Sequence, residues 1–126
     1  MLLQLCGPVS TTSEQVGTAP FLPQRHPVQR DPSLRERGYP IYLLAEALSQ
    51  IACRTARAAD AADRRMLPVR ICKLVAGDVG ANLAATLEAR PIRLKPLPEF
   101  ACRLVNSSGS TIASATITVA PAEPLQ

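Results

Sequence analysis

The sequence has very few aromatic residues: they make up 3% of the 126 residues, and tryptophan is absent. Since hydrophobic residues still make up 47% of the chain, we expect an interior built from Leu, Val, Ile and Ala side chains. The sequence also lacks a basic stripe interleaved with aromatics, on which nucleic-acid bases would stack, and its net charge is a mild +4. Nucleic acid is therefore not an expected partner.

Motifs for metals and nucleotides are missing as well. No Gly-rich phosphate loop, G-x-S-x-G elbow or H-E-x-x-H helix occurs, which excludes nucleotide hydrolysis, serine-hydrolase and zincin chemistry. His26 is the only histidine, and the cysteines have no C-x-x-C spacing, so we expect no zinc site. We predict that no metal or cofactor is bound and that the cysteines are reduced, mostly buried thiols: Cys6, Cys53, Cys72 and Cys102.

Long hydrophobic runs are missing too. The apolar stretch that begins at Met1 stops at Gly7-Pro8 and has no basic residues before it, so it is too short for a signal peptide or a membrane span. From the sequence we therefore expect a cytoplasmic protein without a membrane partner.

The chain length fits a single domain over residues 1–126, because two halves would be too small to bury adequate cores. Residues 1–39 are rich in Pro, Gly, Ser and Thr and predict an irregular part, with weak strands at Met1–Cys6 and Val16–Leu22. The run from His26 to Gly38 carries prolines and mixed charges and predicts a surface loop.

A long helix is predicted over residues 40–60. Pro40 suits the first helical position, and the residues that follow are good helix formers with no internal Gly or Pro. The first half is apolar almost all round, which is typical of a helix buried on every side. The second half carries Arg54, Arg57 and Asp60 and should be exposed.

Residues 67–120 alternate apolar and polar residues with period two, which predicts antiparallel strands with one buried face. The Asn106–Ser110 stretch is typical of a hairpin turn. One long helix before an antiparallel meander describes an α+β fold of the hotdog type, in which the sheet wraps the helix; another α+β sandwich with a helix on one sheet face is the alternative. The four predicted strands are Leu67–Val75, Asn82–Leu94, Glu99–Val105 and Ser110–Val119.

Glu46 is the leading candidate for chemistry, because it lies in the apolar half of the predicted helix. A carboxylate that loses hydration there can exchange a proton near neutral pH, and Gln50 follows one turn later on the same face. His26, in the preceding loop, is the candidate second acid/base group. The simpler interpretations are a solvent-facing glutamate and an ordinary surface histidine.

Residues Tyr39–Gln50 resemble a segment of the β-hydroxyacyl-(acyl carrier protein) dehydratases that reads approximately F/M-P-G-V-L-x-x-E-A-x-A-Q. The E-A-x-x-Q positions match, and residues 70–89 resemble the family's strand, P-G-D turn and strand. The resemblance extends over about residues 20–120 and implies the hotdog fold. It also implies that Glu46 acts with a histidine from the other subunit of a dimer to remove the α proton and expel the β-hydroxyl.

This sequence departs from the family pattern at two positions. The family's histidine lies closer to the acid than His26, which stands 20 residues before Glu46. The family has a glycine after the proline that begins the helix, and this sequence has Ile41 at that position. The resemblance implies that backbone N–H groups at this helix start, formed by Pro40 and Ile41, polarise the thioester carbonyl. Gln50, Pro40 and Ile41 are therefore the predicted substrate-binding residues.

The leading hypothesis is a dehydratase that acts on a 3-hydroxyacyl thioester of acyl carrier protein or coenzyme A, with Glu46 and His26 as catalytic residues. Two alternatives stay open: a hotdog thioesterase in which Glu46 activates water, and a catalytically silent acyl-binding or accessory subunit. A small, aromatic-poor core would gain from covering an edge strand, so we expect a homodimer or a dimer of dimers, or a heteromer with a related hotdog subunit.

Overall fold

The computed structural model describes residues 5–22, 41–77 and 85–122. Within these ranges there is one helix, α1 (Ile41–Ala58), and one six-stranded antiparallel sheet. The first two strands are β1 (Ser10–Thr11) and β2 (Gly17–Pro20). The others are β3 (Met66–Ala76), β4 (Ala85–Arg93), β5 (Glu99–Asn106) and β6 (Thr111–Pro121). Over the described residues the predicted helix and the four predicted strands are thus confirmed to within a few residues; Pro40 and residues 82–84, at the beginning of the predicted helix and of the second predicted strand, lie outside the described ranges.

The strands are ordered β1-β2-β4-β5-β6-β3, so β3 forms one edge of the sheet. Two hairpins build its centre, and β5 and β6 are joined through the predicted turn at residues 106–110. Gly109 has a φ of 88°, and the Asn106 carboxamide oxygen accepts hydrogen bonds from the backbone N–H groups of Ser108 and Ser110. This turn follows directly from its Asn and Gly residues.

The N-terminal part contains less strand than the sequence predicts. The described residues of the predicted strand Met1–Cys6 form only a single bridge, between Cys6 and Phe21, and residues 1–4 lie outside the described ranges. The predicted strand Val16–Leu22 is present in shorter form as β2, which pairs with β4. The two-residue strand β1 carries no apolar alternation and was not predicted.

The core lies between α1 and one face of the sheet. Leu43, Leu44, Leu48 and Ile51 pack there against the inward side chains of β4, β5 and β6, and Phe100 is the largest fully buried residue. The predicted aliphatic interior is therefore confirmed. The predicted burial of the helix on every side is wrong, because α1 lies on one face of the sheet: Ile41 is 55% exposed.

The described residues include no helix that is long and apolar enough to span a membrane. All four cysteines are free thiols, as predicted, and two of them, Cys6 and Cys102, are buried. Cys53 and Cys72 are half-buried.

Gly17 is the point where β2 comes closest to α1, and it should not tolerate a side chain. A Cβ at this position would lie 2.8 Å from Cγ2 and 2.9 Å from Cβ of Thr55, whose hydroxyl donates to the Ile51 carbonyl at 2.7 Å. We expect Gly17→Ala to lower the free energy of unfolding by about 1–3 kcal/mol, measured by urea denaturation. Thr55→Ala in the same background should recover part of the loss, whereas strict additivity of the two changes would contradict a steric conflict between them.

Candidate functional site

An open cleft of about 440 Å³ lies between α1 and the beginning of the edge strand β3, and Glu46 lines it. The helix contributes one side of the cleft, and the loop after the helix contributes the other together with β3. Glu46 is half-buried there, at the boundary between the helix face that packs on the sheet and solvent. The lining residues are Glu46, Ser49, Gln50, Cys53, Arg54 and Arg57 from α1, and Arg65, Met66, Leu67 and Pro68 from the other side.

The Glu46 carboxylate is held by Gln50, one helical turn further on. Gln50 Nε2 donates a hydrogen bond to Glu46 Oε1 at 3.1 Å, as expected for side chains four residues apart. Among the described residues no group bonds the other carboxylate oxygen, Oε2. The sequence predicted that Glu46 and Gln50 lie together, and the structure places them so.

Gln50 also anchors the N-terminal segment. Its Oε1 accepts hydrogen bonds from the backbone N–H groups of Leu5 at 2.8 Å and Cys6 at 3.1 Å, and both of these residues are fully buried. The side chain that orients Glu46 is therefore fixed from the other end by the backbone of a different segment. Rotation of the Gln50 amide would leave these two N–H groups without an acceptor, and a buried N–H without a partner costs about 1–3 kcal/mol. The amide is therefore held in this orientation.

Arg54 makes a second link between the helix and the same segment. Its Nη1 donates to the carbonyl oxygens of Cys6 and Gly7. These contacts engage the guanidinium with the backbone, although its positive charge still lies at the wall of the cleft.

Cys53 lines the middle of the cleft as a neutral thiol. Burial, assisted by the nearby negative charge of Glu46, raises the pKa of Cys53 to about 11. Burial likewise raises the pKa of Cys102 to about 12, with a smaller contribution from Cys53. Because the thiolate is the nucleophilic form, neither cysteine is suited to act as a nucleophile near neutral pH.

The other predicted site residues are not part of the cleft as described. His26 and Pro40 lie outside the described residues. Ile41 begins the helix and is exposed, but it does not line the cleft. The roles predicted for these residues stay predictions.

The sequence did not predict the arginines and the thiol of the cleft. Cys53 and Arg57 follow Glu46 at intervals of 7 and 11 residues, a helical spacing from which their shared face could have been recognised. Arg65 and Met66 join them only because the loop after α1 folds back along the helix, and no local pattern signals that contact.

A larger hollow of about 550 Å³ lies on the sheet face opposite the helix, and Glu88 is the one carboxylate among its described lining residues. Arg103 and Glu88 form an ion pair across it at 2.9 Å, and Arg90 lies 3.9 Å from the same carboxylate. Because this carboxylate is already held by two arginines, the Glu46 cleft is the better candidate for acid/base chemistry. Among the described residues there is no group of three or more side chains that could hold a metal ion.

No protein-family model matches the chain, and no curated protein matches it in sequence. Solved structures do match. A thioesterase from Haemophilus influenzae superposes with a TM-score of 0.69 at 11% identity, covering 90% of this chain and 77% of its own. The E. coli PaaI protein from the phenylacetic acid degradation operon gives a TM-score of 0.69 at 9% identity, over 92% and 79% of the two chains.

A protein from Bacillus halodurans whose structure was determined with CoA gives a TM-score of 0.63 at 11% identity, over 88% of this chain and 69% of its own. Identities this low show the fold alone. The superpositions, together with the helix packed on a six-stranded antiparallel sheet, show that the chain adopts the hotdog fold, as the sequence predicted.

Gln50 should be more important for stability than a half-exposed glutamine usually is. Replacing it by leucine removes the acceptor of two buried N–H groups, so we expect Gln50→Leu to lower the free energy of unfolding by about 2 kcal/mol or more in urea denaturation. Gln50→Glu is the matched variant, because it keeps the acceptor but places a second carboxylate beside Glu46. It should therefore lose less stability than Gln50→Leu, because the two buried N–H groups keep an acceptor. Equal stability of Gln50→Leu and the wild type would contradict the anchoring role.

Proposed function

We propose that this protein hydrolyses an acyl thioester, with Glu46 as the general base that activates water. The supporting observation is the position of Glu46: it lines a cleft open to solvent, Gln50 holds one of its oxygens, and the other oxygen faces no hydrogen-bond donor among the described residues. Water can therefore reach the carboxylate. A positioned base of this kind contributes typically about 10²–10⁴-fold to the rate.

The reaction needs only groups that the cleft and its solvent supply. Glu46 takes a proton from water as the oxygen attacks the thioester carbonyl, which forms the C–O bond and a tetrahedral intermediate. Collapse of the intermediate breaks the C–S bond, and the leaving thiolate recovers the proton from Glu46. Gln50 keeps the carboxylate in place through both steps. Cys53 stays a neutral thiol and so does not compete with water for the thioester carbonyl.

The described cleft contains the groups that hydrolysis requires. Dehydration of a 3-hydroxyacyl thioester uses a second acid/base group as well, and the resemblance assigns that role to His26. Hydrolysis uses one carboxylate and a water molecule. The solved structures point in the same direction, because one is a thioesterase and another was determined with CoA. A CoA thioester is accordingly our proposed substrate class.

We propose further that two copies of the chain pair through β3. This edge strand exposes four large aliphatic side chains, and Ile71 is 42% exposed although it lies opposite the buried Ile117 on the helix side of the sheet. A second copy would cover this apolar edge. Because Met66, Leu67 and Pro68 of β3 form one wall of the cleft, the partner would also close the side of the site that is now open. The exposed aliphatic side chains are Leu67, Val69, Ile71 and Val75.

The free cysteines support a proposal for the cellular compartment. Four free thiols suit a reducing compartment such as the cytoplasm, where CoA thioesters are also present.

Glu46→Gln tests the catalytic proposal. The variant keeps the size of the side chain and a hydrogen bond to Gln50 but cannot accept a proton, so we expect thioester hydrolysis to fall by about 10²-fold or more, with the thermal unfolding midpoint nearly unchanged. The assay follows free thiol and enoyl product together over a series of acyl-CoA and 3-hydroxyacyl-CoA substrates. Glu14→Gln, at an exposed position, is the control. Enoyl product that depends on Glu46, without thiol release, would establish a dehydratase; no turnover in either channel would favour the accessory-subunit alternative.

Ile71→Asp tests the pairing of β3. A carboxylate buried at the edge between two copies would be costly, so we expect the variant to elute as a monomer and to lose hydrolytic activity because the cleft is no longer closed. Light scattering after gel filtration measures the mass. Ile92→Asp is the matched control, because Ile92 is exposed to a similar extent (51%) on β4, away from this edge. A wild-type monomer, or a dimer that survives Ile71→Asp, would contradict pairing through β3.

A further inference from the structure

The Glu46 cleft is charged unequally along its length. Its anionic end is Glu46, and its cationic end is formed by Arg57, near the end of α1, and Arg65, the last residue before β3. Glu46 and Arg57 are 11 residues apart on one helix face, which corresponds to about 16 Å along the axis. A ligand that spans the cleft therefore meets a base at one end and guanidinium groups at the other.

The two arginines at the cationic end are available to a ligand. Arg65 is exposed, and its guanidinium makes no hydrogen bond or ion pair with any described residue. Arg57 pairs with Asp63 at 2.9 Å, but their side chains are 52% and 76% exposed. An ion pair in such an exposed position contributes little, so Arg57 can exchange Asp63 for a stronger partner. Arg54 differs from both, because the backbone carbonyls of the N-terminal segment already occupy its guanidinium.

The loop that carries Arg65 is held in a defined shape. The Asp60 carboxylate accepts hydrogen bonds from the backbone N–H of Arg64 at 2.8 Å and of Ala62 at 3.3 Å, and it also binds the Arg64 side chain at 3.0 Å. These bonds lower the pKa of Asp60 to about 2, so the carboxylate stays charged and the loop stays capped at any pH near neutrality. Arg65 is thus presented from a fixed turn, while the neighbouring Arg64 is engaged by Asp60.

We infer that Arg57 and Arg65 bind the phosphate at the end of the pantetheine arm of the thioester substrate, with the arm lying along the cleft and the thioester at Glu46. This inference rests on the proposed function. The arm contains about 13 bonds from sulfur to phosphorus and, at roughly 3.5 Å for every three bonds of an extended chain, reaches about 15 Å. That length matches the separation between Glu46 and Arg57.

The chemistry of the cleft suits this occupant. Guanidinium groups bind phosphate with paired, charge-assisted hydrogen bonds, and two of them line the cationic end. Between the ends the walls carry no charged group other than Arg54. The remaining lining residues are uncharged: Ser49, Gln50, Cys53, Met66, Leu67 and Pro68. Such walls fit the uncharged amides and methyl groups of pantetheine.

Calorimetric titration with three probes tests the inference: pantetheine, which has no phosphate; 4′-phosphopantetheine; and CoA. We expect wild-type protein to bind the two phosphate-bearing probes about tenfold or more tightly than pantetheine. Arg65→Gln and Arg57→Gln should each lose about tenfold in affinity for those two probes and leave pantetheine binding unchanged. Arg93→Gln is the matched control, because it removes the same charge from an exposed position on β4 that does not line the cleft, and its affinities should stay within twofold of the wild type.

Three outcomes would overturn the inference. Equal affinity of the wild type for pantetheine and phosphopantetheine would mean that the phosphate is not bound. A gain for CoA without a gain for phosphopantetheine would place the contact on the nucleotide part instead. An equal loss in Arg93→Gln and Arg65→Gln would reduce the effect to net charge.

The same titrations separate this inference from the proposed hydrolysis. Binding requires no turnover, so Glu46→Gln should retain the wild-type preference for phosphopantetheine over pantetheine. If the preference depends on Arg57 and Arg65 in a protein that hydrolyses no thioester, the phosphate site stands and the hydrolytic proposal fails. If hydrolysis depends on Glu46 but the protein does not prefer phosphopantetheine to pantetheine, the hydrolytic proposal stands and the phosphate site fails. In an active protein, loss of Arg65 should raise KM for acyl-CoA with little change in kcat.

Discussion

The hydrogen bonds of Gln50 are the constraint on which the candidate site depends. One amide group joins two buried backbone N–H groups of the N-terminal segment to the carboxylate of Glu46. The amide oxygen is used for folding and the amide nitrogen for orienting the acid, so neither function can change without the other. Arg54 strengthens the same junction from the next turn of the helix. The site is therefore supported by residues 5–7 as well as by the helix that carries it.

The position of the helix on the sheet explains why a polar cleft exists in so aliphatic a protein. One face of α1 packs on the sheet through Leu, Ile and Ala side chains, and β3 extends beyond the area that the helix covers. The space between the helix flank and this strand is bounded by apolar residues on the β3 side and by polar residues on the helix side. A carboxylate placed at that boundary keeps access to water while one side of it is sheltered, which is the environment that general-base chemistry needs.

The sequence predicts the elements of this fold better than their arrangement. Helix propensity and period-two alternation are local properties, and they located α1 and the strands β3 to β6 to within a few residues. The pairing of Glu46 with Gln50 follows from helical spacing and was also predictable. The capture of Leu5 by Gln50 joins residues 45 positions apart, and the approach of Arg65 to the helix depends on how a loop turns. No local sequence pattern predicts either contact. The burial of the helix was overestimated for a related reason: apolar composition does not reveal that Ile41 lies where no strand covers it.

The ladder between β3 and β6 is irregular, and this limits how further copies of the chain could add to the proposed pair. Its ladder with β6 is shifted between Pro68 and Arg70 and again between Cys72 and Val75, so only a chain with matching irregularities can follow its contour. The opposite border of the sheet, in the part of the chain that the structure describes, is the two-residue strand β1. That border is too short to template another strand, so strand addition that begins at β3 has nowhere to continue. If two copies pair through β3 as proposed, we therefore expect a closed association and not an open-ended filament.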